Sequence, residues 1–148
     1  MSGVIYGQIQ SYTAGLDARA VYWHNRSALA SLPSDGIFCR DMFHHLPLYH
    51  HPITSSSQLI AFASENPEEH AMGADWIALF EDLLRRLCWD FASVIETYCG
   101  HRFEWIAERE HRRNGELFVR SWRRIAYESH HELKEVPFGS GKFVPQMQ

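Results

Sequence analysis

Ten histidines stand among 148 residues, and two pairs of them, His44-His45 and His50-His51, sit in one short span around Pro47. Imidazoles that converge on one point hold zinc or a related ion when outer partners fix the rings. Here no acidic ligand follows at motif spacing, and H-E-x-x-H is absent. Residues 41–57 also carry Pro47, Pro52 and three consecutive serines, with no clear period. The span reads as a solvated loop, and no metal or cofactor is expected.

Nucleophilic catalysis needs a thiol or hydroxyl beside a base. Cys99 lies two residues from His101, and Cys39 a few from His44, but Gly100 is expected to turn the chain between the first two. G-x-S-x-G is absent, so no catalytic residue is assigned and the chain is not read as an enzyme. Three cysteines leave one unpaired in any scheme, and no C-x-x-C exists for a zinc ribbon or a redox pair. Each lies among apolar residues, as reduced structural cysteines do. The first residues show neither a basic segment nor a long apolar one, and no apolar run approaches the roughly 20 residues of a membrane span. The expectation is a soluble cytoplasmic protein.

Phosphate and nucleic-acid chemistry find little support. Gly139-Ser140-Gly141-Lys142 lacks the strand before it and the helix after it that a phosphate loop requires. Arg109, Arg112, Arg113, Arg120, Arg123 and Arg124, with Trp122 between them, make a basic aromatic stripe of the kind that binds single strands. Glu108, Glu110 and Glu116 interrupt it, and the net charge of −4 repels phosphate at long range. Residues 1–100 sum to −6 and residues 101–148 to +2, with 12 of the 14 basic residues arginine. Intramolecular pairing of those arginines with nearby glutamates is the simpler account; Glu104 and Glu108 are expected to pair with Arg120 or Arg124.

These side chains must be carried by elements legible from periodicity. Residues 3–12 read as a strand, with Gly7 allowing another backbone close. Residues 16–31 place Leu16, Ala20, Trp23 and Leu29 at near-helical spacing, with Thr13 or Asp17 as the cap. Leu32 to Gly36 is a turn, residues 37–39 a short strand, and residues 58–64 a buried strand followed by an acidic turn at 65–69. The clearest element is a helix over 72–89. Trp76, Leu79, Phe80, Leu83, Leu84 and Leu87 form its apolar stripe, opposite Asp75, Asp82, Arg85 and Arg86. Three strands follow. They span 91–99, then 102–109 with Phe103, Trp105 and Ala107 on one face, then 116–127 after a hairpin turn at Asn114-Gly115. The fold expected is α+β, with two helices packed on one face of a mainly antiparallel sheet in the order β-α-β-β-α-β-β-β. One domain spans 1–131, and 132–148 form an extended C-terminal tail.

Three stretches resemble a known group. They are Tyr6-Gly7-Gln8-Ile9 with His24-Asn25-Arg26 and Leu32-Pro33; Cys39-Arg40-Asp41-Met42-Phe43; and Trp76 with Leu79 to Leu87 through Phe103-Glu104-Trp105. Across residues 6–105 the chain resembles the immunity proteins encoded beside polymorphic antibacterial toxins of the Rhs and type VI secretion kind. The resemblance implies a cytosolic inhibitor of one cognate toxin domain, acting by occlusion of the active site or substrate surface. It transfers no site residues, since each such protein matches its own toxin. The alternative is a small ligand-binding protein or an enzyme of unknown class.

A tight inhibitor needs apolar anchors as well as charge. The acidic residues Glu65, Glu68, Glu69 and Asp75 around the start of the second helix are the candidate partner-binding rim. Tyr49, Phe138 and Phe143 are the candidate anchors, because no periodic pattern places them in the core. Neither nucleic acid nor a membrane is expected as a partner.

Overall fold

The computed structural model describes residues 3–12, 17–45, 57–66, 74–97, 100–108, 119, 121–127 and 133–134. Among the described residues, seven strands form one antiparallel sheet: β1 (Gly3–Tyr12), β2 (Phe43–His45), β3 (Ser57–Asn66), β4 (Phe91–Glu96), β5 (His101–Ala107), β6 (Trp122–Tyr127) and β7 (Leu133–Lys134). Their spatial order is β2-β3-β1-β4-β5-β6-β7, so the first strand of the chain lies inside the sheet between β3 and β4. Helix α1 (Ala18–Ala30) follows β1, and α2 (Ala74–Arg86) follows β3. Both lie on one face of the sheet, which makes the fold α+β as expected.

Strand alternation decides which side chains meet the helices. Ile5 and Ile9 of β1, Ile60 and Phe62 of β3, Val94 of β4 and Trp105 of β5 point to the helix side and are buried. Phe80 of α2 lies 5.4 Å from Phe62 and 4.9 Å from Trp105, ring centre to ring centre, so the helix bridges both halves of the sheet. Phe80, Leu83, Leu84 and Leu87 are fully buried, each contributing roughly 1.5–3 kcal/mol. Leu79, the remaining aliphatic member of the expected stripe, is exposed.

Gly7 shows why a residue without a side chain stands in a central strand. A β-carbon there would clash with the Ser93 carbonyl of β4 and come within 2.7 Å of the Phe62 ring tip. Phe62, Gly7 and Val94 share one cross-strand row, so the missing side chain is the space that Phe62 occupies.

Helix α1 is phased differently from the sequence expectation. Asp17 caps it by accepting from the Arg19 and Ala20 N–H groups at 3.0 and 3.3 Å. Val21, Tyr22, Asn25 and Leu29 face inward, while Ala20 and Trp23 are exposed. Asn25 is the reason. Its amide donates to the Cys88 carbonyl at 2.9 Å and accepts from the Cys88 N–H at 2.7 Å, so a polar residue holds the inner face.

The same contacts end α2 at Arg86, three residues before the expected limit. Past Arg86, Leu87 and Trp89 fold back on Leu84, whose carbonyl accepts from the Leu87 N–H at 3.3 Å and the Trp89 indole at 2.8 Å. The Cys88 carbonyl also accepts from Ser11 Oγ at 2.6 Å. Asp90 donates its N–H to Gln10 at 2.8 Å, and its carboxylate accepts the Tyr12 N–H at 2.6 Å. Residues 87–90 thus knot α1, α2 and β1 together, and their backbone groups have partners better than another helical turn.

The region after α1 also differs. Residues 37–39 form bends rather than a strand; a 3-10 turn (Arg40–Met42) follows, and the strand is β2, inside the span expected to be loop. β2 pairs Phe43 with Phe62 and His45 with Ile60 of β3. At the other end, β6 (Trp122–Tyr127) lies within the strand expected over 116–127, of which residues 116–118 and 120 lie outside the described residues, and β7 pairs with β6 from within the expected tail. The hairpin turn at Asn114-Gly115, the acidic turn beyond Asn66 and the rest of the tail lie outside the described residues.

Candidate functional site

The structure describes two of the seven candidate partner-binding residues. Glu65 lies near the end of β3, opposite Val4 of β1, and Asp75 in the first turn of α2; both are exposed. Asp75 is placed to complement the positive N-terminal end of the helix dipole, and Arg85 and Arg86 its negative end. Glu68, Glu69, Tyr49, Phe138 and Phe143 lie outside the described residues.

The histidine pair His44-His45 cannot converge on one ion, because consecutive strand residues point to opposite faces. His44 is exposed. His45 turns to the helix side and stacks on Tyr22 of α1 with ring centres 4.4 Å apart. Neither ring nitrogen meets a partner in hydrogen-bond geometry, although the Gln58 amide lies beside the ring. Burial, aided by the Arg26 charge and partly offset by Gln58, holds His45 down at about 4, so it is neutral at physiological pH. His50 and His51 lie outside the described residues, and among the described ones no three metal-ligating side chains come together.

The expected basic stripe is divided by the fold. Arg124 is buried, and its guanidinium donates to Glu81 of α2 at 2.9 Å. The same carboxylate oxygen accepts from the Trp105 indole at 2.8 Å and, more weakly, the Trp122 indole at 3.4 Å. Burial lowers the Arg124 pKa to about 10, with Glu81 opposing the shift, so the group stays charged at neutral pH. This pair sits between α2 and the β5–β6 half of the sheet, where it cannot reach nucleic acid. Glu81 was not singled out in the sequence as a buried acid. The available signal was its position four residues after Ile77, on the flank of the apolar stripe.

On the opposite sheet face, Glu104 accepts from the Tyr127 hydroxyl at 2.8 Å, and Arg102 lies 3.9 Å from the Tyr127 ring centre. Burial and then Glu104 push the Tyr127 phenol up. Glu104 therefore pairs with Tyr127; of the two arginines expected for it and Glu108, Arg124 faces the helices and Arg120 lies outside the described residues. Along β1 the same open face presents Val4, Tyr6, Gln8, Gln10 and Tyr12, with the two tyrosines more than 40% exposed. Among the described residues, the most exposed large apolar side chains are Trp23 of α1 at 62% and Ile37 at 63%.

Among the described residues, no helix is long and apolar enough to cross a membrane. Compared with known proteins, the chain matches no family model, no curated protein and no solved structure.

Proposed function

We propose that this protein is an immunity protein, a cytoplasmic inhibitor that binds one cognate antibacterial toxin domain and covers its active site or substrate surface. One observation carries the proposal beyond the sequence resemblance. The domain buries a continuous aromatic and aliphatic core, yet leaves Trp23, Ile37, Tyr6 and Tyr12 on its surface. Val4, Tyr6 and Tyr12 share one face of β1, and apolar side chains grouped on one face, unlike singly scattered ones, mark a protein interface. Nanomolar inhibition takes about 12 kcal/mol of net binding free energy. Exposed ion pairs supply about 0–1 kcal/mol each, so the acidic rim that includes Glu65 and Asp75 serves mainly to guide encounter.

The experiment is co-expression with the product of the adjacent reading frame, carrying an inactivating substitution, followed by purification and titration. A stoichiometric complex is expected, with the active toxin inhibited in proportion to the immunity protein added. Protection at a small fraction of the toxin concentration would signify turnover and refute occlusion. Failure of the two purified chains to associate would refute the inhibitor reading.

A further inference from the structure

The outward face of α1 combines three side chains whose arrangement the fold does not use. Arg19, Trp23 and Arg26 are spaced i, i+4 and i+7, which places both guanidinium groups on the same side of the indole. On its other side stand Ala20 and Ser27, both exposed. The tryptophan thus projects above a floor of short side chains. Its only ring contact among the described residues is edge-to-face with Tyr22 at 5.2 Å, and 62% of it remains exposed.

Charge defines what would fit. The arginines on and under α2 are engaged: Arg86 pairs with Asp82, Arg124 with Glu81, and Arg85 lies over the Trp122 ring. Neither Arg19 nor Arg26 has a carboxylate partner among the described residues, in a chain whose net charge is −4; Arg26 makes one long hydrogen bond, 3.5 Å, to the Tyr22 hydroxyl. The head of α1 lies at the opposite end of β3 from Glu65. Gln58 at the start of β3 holds the Ala18 carbonyl at the head of α1, whereas Glu65 lies seven residues further along that strand, roughly 23 Å away at strand spacing. The helix is also held rigidly, by the Asp17 cap, the Gln58 contact and the paired Asn25–Cys88 bonds. Binding there would cost little ordering of the backbone.

We propose that this face of α1 is a docking surface for an acidic segment of a protein partner, which on the inhibitor reading above is the toxin. Trp23 fills an apolar slot, and Arg19 and Arg26 pair with carboxylates on its rim. Tryptophan and arginine are the residue types that dominate binding hot spots. A polyanion is the weaker fit: two cations neutralise few phosphates, and the acidic chain repels the rest.

The test measures binding of the inactivated product of the adjacent reading frame to the wild-type chain, to Trp23→Ala and to the double variant Arg19→Glu/Arg26→Glu. All three positions are exposed, and thermal melts establish that each variant is folded. Trp23→Ala should speed dissociation by about 30-fold, corresponding to loss of a 2 kcal/mol hot spot. The charge reversal should slow association and abolish its decline with added salt. Parallel arms offer a single-stranded oligonucleotide and vesicles of phosphatidylglycerol and phosphatidylcholine. Wild-type binding that both folded variants leave unchanged overturns this surface but not the inhibitor reading. Trp23-dependent binding to the oligonucleotide or the vesicles, with toxin binding unaffected, overturns it as well. If the wild-type chain fails to bind the neighbouring product, the inhibitor reading and this surface fall together.

Discussion

Replacing Arg124 by methionine should destabilise the domain by about 3–5 kcal/mol, the range for leaving a buried charge without its partner. The cost follows from the site. Glu81 is about 95% buried, and one of its oxygens accepts from Arg124 and from two indoles. Removing the guanidinium strands a carboxylate between α2 and the sheet, and the indoles alone cannot balance its charge. Glu81→Leu should be comparably severe, because it strands Arg124 and takes the acceptor from Trp105 and Trp122. The double variant Glu81→Leu/Arg124→Met distinguishes a charge effect from a packing effect. Both charges are then gone, and the loss reduces to the two indole hydrogen bonds, with penalties of roughly 1–3 kcal/mol where a donor stays unsatisfied. It should therefore be more stable than Arg124→Met alone. Urea titrations read by tryptophan fluorescence and far-ultraviolet circular dichroism give the three free energies, and Trp105 and Trp122 report from the site itself. If Arg124→Met costs less than about 1 kcal/mol, the pair behaves as a solvated one. If the double variant loses the sum of the single losses, the two groups do not interact and the reasoning fails.

Four further outcomes follow from the packing. Leu84→Ala should cost about 2–5 kcal/mol in urea titrations, since the fully buried helix stripe has no solvent into which the cavity can open. Gly7→Ala should lower the melting temperature by forcing β1 away from the Ser93 carbonyl of β4 or displacing the Phe62 ring; an unchanged melt would mean that the strands adjust freely. Asn25→Ala removes both side-chain bonds to Cys88 and should cost about 1–3 kcal/mol, with hydrogen exchange rising first at residues 87–90. His45 titrates near 6.5 when unfolded but near 4 when folded, so the unfolded chain takes up its proton first as the pH falls through that window. Stability from this group is full above about pH 6.5 and lost toward pH 4; allowing for the partial exposure of the ring, the loss at pH 5 is about 1 kcal/mol. His45→Phe, which keeps the stack on Tyr22, should show a correspondingly smaller drop between pH 7.5 and pH 5, and equal drops would refute the assignment.

Trp23 shows how the candidate site escaped sequence reading. With Leu16, Ala20 and Leu29 it forms a near-helical apolar stripe, so the pattern alone directs it inward. The true inner face includes Asn25, and hydropathy cannot register a buried asparagine whose partners are the peptide groups of a residue 63 positions away. Once Asn25 fixes the helix rotation, Trp23 must face out. Arg124, read from the sequence as part of an exposed basic stripe, is buried for the converse reason. It is drawn into the interior by Glu81, whose burial depends on α2 lying across β5 and β6.

Local chemistry was sufficient wherever one element's own residues set its state. The stripe of α2, the alternation of β5 and the glycine of β1 are each readable from the sequence, and the cap of α1 is narrowed there to Thr13 or Asp17, because period and side-chain type act within a few residues. Tertiary structure decided what depends on partners distant in the chain. It set the place of β1 between β3 and β4, the burial that lets three residues at Phe43–His45 serve as a strand, and the end of α2 at Arg86. It also separated, among the described residues, the arginines that stay in solvent from the buried Arg124. These outcomes turn on backbone groups and charges finding partners across the fold, and linear order does not record which partners those are.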